Sequence, residues 1–207
     1  AYKYNKEIFN DVGLILNIES RGPFGPVLLF ETSPRNEQLV KLYANHARYP
    51  FAYSIMNMVY QKMPNGTDMN IVRDSIPGFN FSPIADINHY HTDLDNIHNI
   101  SETTIQHYGE QVVPIIKKYL TNTIYADKEY LKAEEDLIYF SIPLLGMYHF
   151  TKNQYWLLNI GLCFLLLHLL MKDKNFYWKK SIRESGIMFA VSLALIAIGE
   201  IIAWLSA

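Results

Sequence analysis

Apolar residues are spread unevenly along this 207-residue chain, and that asymmetry limits the fold more than any motif does. Residues 1–135 alternate short apolar runs with polar loops, as a soluble domain does. From residue 137 onward the chain is mostly apolar, with one charged interruption. A helix needs about 20 apolar residues to cross a bilayer. Tyr155 to Met171 is just long enough, and Gly186 to Leu205 comfortably so. Leu137 to Phe150 is too short and contains Pro143, so it reads as an interfacial segment or a short span. The expected organisation is a soluble domain over 1–122 and a charged linker over 123–136. A membrane region over 137–207 follows, with an interfacial or short span at 137–150 and spans at about 154–171 and 186–205. Lys172, Lys174, Lys179, Lys180 and Arg183 lie between the last two, and the positive-inside rule puts that loop in the cytoplasm. If 137–150 does not cross, residues 1–135 lie on the non-cytoplasmic side, which is the expected placement; if it does, they are cytoplasmic.

Charge and cysteine content remove several classes of function. A formal net charge of -2 offers no basic field for nucleic acid. Cys163 is the only cysteine, so neither an intrachain disulfide nor a thiolate zinc site can form. A metal would have to be held by His, Asp and Glu. The chain begins with Ala, a few residues before a strongly apolar run, and reads as a fragment with an upstream portion missing. In the membrane region, His168 and Glu200 either mark a pathway or sit at interface level.

Within residues 1–122, strands alternate with helices, the pattern of an α/β sandwich. Val12 to Ile18 is continuously apolar, as a strand buried on both faces would be. It ends at Glu19, either a functional carboxylate at a strand's carboxyl end or simply a partner for Arg21. Val27 to Phe30 reads as a second strand. Ser33 as N-cap and Pro34 at the first helical position open a helix that runs to about Arg48, before Pro50. Phe51 to Tyr60 is ambiguous between strand and helix. Met63 to Asp68 is a turn. Phe79 to Ile84 is a strand that ends at Pro83 or lies near an edge. Ser101 opens another helix with Glu102 in its first turn and Pro114 as a kink or break.

The loop Asn88 to Asp95, Asn-His-Tyr-His-Thr-Asp-Leu-Asp, concentrates imidazole, phenol and carboxylate groups. Such a loop is either merely solvated or a source of metal ligands, with a nearby carboxylate fixing an imidazole tautomer.

Four motifs occur in order: Asn17-Ile18-Glu19-Ser20-Arg21-Gly22, Leu29-Phe30-Glu31-Thr32-Ser33-Pro34, Asn65-Gly66-Thr67-Asp68 and Tyr90-His91-Thr92-Asp93-Leu94-Asp95. This order resembles the second half of the catalytic domain of the two-zinc aminopeptidase family. The nearest likeness is to its membrane-anchored branch, the vacuolar membrane proteases and endoplasmic reticulum metallopeptidases. The resemblance covers roughly residues 10–120 by motif and the rest by architecture. It implies part of a phosphorylase/hydrolase-like three-layer α/β/α sandwich followed by transmembrane helices. It also implies a metal-dependent exopeptidase that removes amino-terminal residues from peptides, using two zinc ions and an activated water. Glu19 matches a ligand of one zinc and His91 a ligand of the other. Tyr90 matches a group that donates a hydrogen bond to the tetrahedral intermediate, and Asp68 and Asp95 match structural or second-shell positions.

The chain departs from the family pattern in lacking the upstream His-x-Asp motif and the Glu-Glu pair that provides a ligand and the general base. Glu134-Glu135 lies in the wrong place to substitute. Two of five expected ligands are present, so this stretch alone is expected to be inactive and to bind zinc poorly, the full-length protein being the enzyme. The alternative is a non-catalytic, membrane-anchored binding or receptor relative of the same fold. The sequence fixes neither oligomeric state nor substrate preference.

Overall fold

The computed structural model describes residues 6–64, 66–172, 177 and 181–188. The chain divides into two compact units, Ala1–Trp156 and Leu157–Ala207.

The first unit is mixed α/β. After a short helix, α1 (Lys6–Phe9), comes strand β1 (Ile15–Ile18), followed by β2 (Leu28–Thr32) and, after two helices, β3 (Gly78–Ser82). The sheet order is β1-β3-β2, with β1 parallel and β2 antiparallel to β3. β3 is thus central rather than near an edge. It ends at Ser82 because Pro83 has no N–H to offer to a further rung. β1, expected to be buried on both faces, is the rim strand among the described residues, and Ile18 is 58% exposed. An apolar run reports what its faces meet and is silent on how many strands flank it.

Helix α2 (Glu37–His46) starts later than Ser33 and Pro34 suggest. Ser33 Oγ instead donates to the Ile76 carbonyl, and the Asn36 N–H is taken by Asp136 Oδ1 at 3.0 Å. That places a carboxylate at the helix's positive end, where it is favourable. Residues 52 and 53 make isolated bridges before α3 (Ser54–Tyr60), which resolves the ambiguous stretch.

Helix α4 (Glu102–Thr121) is capped by Ser101, whose side chain accepts from Thr104 N–H. Pro114 lies inside it without breaking it. Proline lacks the N–H that would bond the Glu110 carbonyl, and the Arg48 N–H takes that place at 2.9 Å.

One face of the sheet (Val27, Leu29, Phe79, Phe81) packs against Leu39 and Tyr43 of α2 and Val112 and Ile115 of α4. On the other, Leu28 and Phe30 meet Tyr60 of α3.

Two segments differ from expectation. Residues 123–136 are packed rather than a linker: Leu131 is 2% exposed within the main core, with Tyr125 and Tyr130 against it. Leu137 to Phe150 is not a spanning helix but holds a hairpin of β4 (Ile138–Ile142) and β5 (Gly146–Phe150) in the first unit. The Ala52 N–H donates to Ser141 Oγ at 3.0 Å and the Tyr139 N–H to Ser54 Oγ at 2.6 Å, which stitches the hairpin to the start of α3.

Helix α5 (Lys152–Lys172) begins in the first unit and runs into the second. It is long and apolar enough, by length and composition, to cross a membrane. Residues 181–188 are helical, and the remainder of the span expected at 186–205, with Glu200, lies outside the described residues.

Candidate metal centre

Glu19 directly follows β1, and its N–H donates to the Phe81 carbonyl at 2.8 Å, continuing the ladder onto β3. Its carboxylate is half-buried, and Oε1 accepts from Asn17 Nδ2 at 3.1 Å. Asn17 and Glu19 are two apart on an extended chain, so both side chains leave the same face. From α4, the Tyr108 hydroxyl donates to the Glu19 carbonyl. Burial first, and then the Glu19 charge, push the Tyr108 hydroxyl well above its ordinary range, so it stays a donor. Both the backbone and one carboxylate oxygen of Glu19 are therefore fixed.

The Arg21 guanidinium lies 5.5 Å from the centre of the Tyr90 ring, a cation–π distance. The Arg21 N–H donates to Ser82 Oγ at 3.0 Å. Gly22 comes next because the chain runs hard against Ala85: an added Cβ would lie 1.9 Å from the Ala85 carbonyl oxygen.

The His-rich loop begins with a 3-10 turn, Ile87–His89. Tyr90 stacks on His91, ring centres 3.8 Å apart. His91 is exposed and holds a left-handed backbone, φ 57°. A non-glycine residue in that region costs of order 1 kcal/mol or more, and such strain concentrates at functional sites. Thr92 Oγ1 donates to the His89 carbonyl at 2.7 Å, closing the turn that presents the ring. Arg21 on Tyr90 links this loop to the one following Glu19. Asp95 is exposed, its N–H donating to the Thr92 carbonyl. Asp68 is exposed at the start of a 3-10 turn, and it is neighbouring Thr67 that reaches inward.

The donors suit zinc in kind: a carboxylate oxygen held by an amide partner, as metal-binding carboxylates are, and an imidazole. No group of three or more His, Cys, Asp or Glu side chains able to hold a metal forms among the described residues.

An apolar cavity of about 240 Å³ is lined by Leu28, Phe30, Met56, Tyr60 and Ile84, with Arg21 also in its wall.

Reading the sequence alone missed a polar row across the sheet. Asn17 pairs with Asn80 in the β1–β3 register, and Asn80 with Glu31 in the β3–β2 register. The last pairing exists because the β2–β3 register shifts between Leu29 and Glu31. Without that bulge Glu31 would face the core side with Phe79 and Phe81. Glu31 and Asn80 are both fully buried. The available signal was a polar residue in the middle of each apolar strand, which must find a partner.

Comparison with known proteins gives three kinds of result. The model of peptidase family M28 matches residues 1–116. The chain is 34% identical over 120 residues to mouse endoplasmic reticulum metallopeptidase 1, covering 56% of this chain and 13% of that protein. It is 26% identical over 159 residues to the putative endoplasmic reticulum metallopeptidase 1-A of Caenorhabditis elegans, covering 75% of this chain and 18% of that protein. It is 25% identical over 206 residues to the vacuolar membrane protease of Candida albicans, covering 93% of this chain and 22% of that protein. The chain therefore spans between 13% and 22% of the length of these relatives. No solved structure matches.

Proposed function

The chain belongs to peptidase family M28, and from that premise we propose that it is the C-terminal part of the catalytic domain of a membrane-anchored zinc aminopeptidase. The observation that carries this reading is Glu19: a carboxylate at the carboxyl end of a strand, oriented by Asn17 and backed by Tyr108. The names of the relatives, metallopeptidase and membrane protease, point the same way.

In this reading Glu19 holds one zinc ion and His91 a second, and residues outside this chain supply the other ligands and the general base. Zinc, when bound, polarises the scissile carbonyl and acidifies a coordinated water. Tyr90 donates a hydrogen bond to the oxygen that gains charge in the transition state, and Arg21 over its ring fixes its position. Asp68 and Asp95 keep only a structural part in shaping their loops. The apolar cavity beside Arg21 receives an apolar side chain of the peptide substrate. The three-layer sandwich would be completed by further strands and helices beyond β1.

Membrane lipid surrounds α5. With 137–150 folded as a hairpin of the first unit, α5 is the one segment between that unit and the basic stretch Lys172 to Arg183. The positive-inside rule then places the peptidase portion on the non-cytoplasmic side.

The test uses the longest native polypeptide containing this chain, purified in detergent. Chelator-sensitive release of amino acids from aminoacyl amides, lowered in Tyr90→Phe by roughly 100- to 1,000-fold in kcat, is the expected result. Absence of hydrolysis under zinc-replete conditions would instead support a non-catalytic binding relative.

A further inference from the structure

Five side chains form one continuous hydrogen-bonded line across three strands. Arg73 Nη1 donates to Glu31 Oε1 at 2.6 Å. Asn80 Nδ2 donates to Glu31 Oε2 at 2.9 Å and to Thr67 Oγ1 at 2.8 Å. Asn17 Nδ2 donates to Asn80 Oδ1 at 2.8 Å and to Glu19 Oε1 at 3.1 Å. Glu31 and Asn80 are fully buried.

The direction of this line is dictated from its far end. An ionised carboxylate only accepts, so Glu31 requires the NH2 end of the Asn80 amide. Both Asn80 N–H groups are then used, by Glu31 and Thr67, and its oxygen must face Asn17. Asn17 can meet that oxygen only with its own NH2 end. One N–H of Asn17 satisfies Asn80, and the other is left pointing at Glu19. Were Asn17 reversed, its oxygen would face both the Asn80 oxygen and the Glu19 carboxylate, three acceptors without a proton among them.

We propose that Glu31 and Asn80 are positioning residues: the Glu31 charge, held by Arg73, sets the polarity of a relay through Asn80 and Asn17 that fixes the Glu19 carboxylate for metal binding. The proposal rests on the reading of Glu19 as a metal ligand. It assigns a role to the bulge in β2, which is the device that turns Glu31 onto Asn80. It also explains why a carboxylate lies in a strand whose five residues are all buried. Oε1 of Glu19 is the oxygen that the relay engages.

The experiment measures zinc affinity by chelator competition, with zinc ions alone as the probe, on the longest native polypeptide containing this chain. Thermal midpoints of the metal-free proteins are recorded alongside. Glu31→Gln lets the Asn80 amide reverse, and Asn17→Ala removes the last donor. Each is expected to weaken zinc binding about 10- to 100-fold, as loss of a ligand's outer partner does. Glu19→Ala sets the scale for losing the ligand itself. Glu31→Gln alone reads the polarity, because Glu31 never touches Glu19. If both variants lower the metal-free midpoint while zinc affinity stays within about twofold of wild type, the row is merely structural and the relay is wrong. Should Glu31→Gln fail to fold, Asn17→Ala decides: its side chain is only half-buried, and unchanged zinc affinity there overturns the relay as well. A wild-type protein that binds no zinc, or a Glu19→Ala variant that binds as wild type does, overturns the ligand reading and the relay together. Failure confined to the Glu31 and Asn17 variants overturns the relay alone.

Discussion

Replacing Arg73 by Met isolates the energetics that the polar row depends on. Glu31 is 0% exposed and the Arg73 side chain 28%, and their N–O distance is 2.6 Å. The same hydrogen bond raises the Arg73 pKa above its ordinary value, chiefly through the Glu31 contact. Met fills most of the arginine's volume, so the loss is electrostatic rather than a cavity. Removing one partner of a buried pair costs about 3–5 kcal/mol, because the survivor is an uncompensated buried charge. Two features favour the lower end. Asn80 still donates to the second oxygen, and water can reach the side that Arg73 leaves, since the arginine itself is partly exposed. A loss of about 3 kcal/mol in a unit of this size lowers the thermal midpoint by roughly 6–12 °C. The assay is thermal unfolding of wild type, Arg73→Met, Glu31→Gln and the double variant, all metal-free. The charge is the problem in Arg73→Met, so Glu31→Gln on that background should recover much of the loss, giving a strongly non-additive cycle. An Arg73→Met midpoint within about 2 °C of wild type, or a double variant as unstable as the sum of the singles, would refute the reasoning.

Other predictions follow from individual contacts. Leu131→Ala should destabilise the first unit by about 2–5 kcal/mol in denaturant unfolding, since Leu131 is 2% exposed in the core; a change under about 0.5 kcal/mol would return residues 123–136 to the status of a linker. Ser101→Ala should cost about 1 kcal/mol by the same method through loss of the α4 cap, and α4 amides near Thr104 should exchange faster with solvent. The His149 imidazole is held below its ordinary value of 6.5, first by burial and then by Lys41, against an opposing contribution from Glu37. The folded state therefore resists protonation, and stability falls as pH drops below about 6.5 through the folded-state value. His149→Gln should narrow its stability gap to wild type, or exceed wild type, near about pH 5 and lose that relative gain near about pH 8, measured by thermal midpoints across pH.

Local chemistry written in single residues was legible in the sequence. The Ser101 cap with Glu102 after it gave the start of α4, and Pro83 gave the end of β3. Glu19 at a strand's end and the ring-bearing loop at Tyr90 and His91 were visible as candidates, and the structure places them as a fixed carboxylate and a strained, exposed turn. What stayed hidden depended on pairing between distant segments. In β4 the inward residues Tyr139 and Ser141 are buried at period two, but the outward Ile138, Phe140 and Ile142 are apolar as well. Phe140 packs against Tyr148 and Phe150 of β5, ring centres 6.2 and 5.9 Å apart, so the alternation vanishes in a hydropathy reading and the run resembles a membrane segment. Its turn carries Leu144 at φ 68°, a position that favours glycine or asparagine, and the one glycine signal falls just past the turn, at Gly146 with φ 94°. The row from Arg73 to Glu19 was hidden for a different reason. It needs a parallel register, an antiparallel register and a one-residue bulge, none of which a linear pattern records. Likewise Pro114 reads as a helix break until Arg48, far away in sequence, is seen to occupy the carbonyl it frees.

The most direct measurement is the zinc content per chain of the longest native polypeptide containing these residues, purified in detergent, beside its Glu19→Ala and His91→Ala variants. About two zinc ions per chain, with each substitution lowering the content while the fold persists, is the predicted result. Zinc content indifferent to both substitutions would contradict the assignment of this chain's Glu19 and His91 to a metal centre.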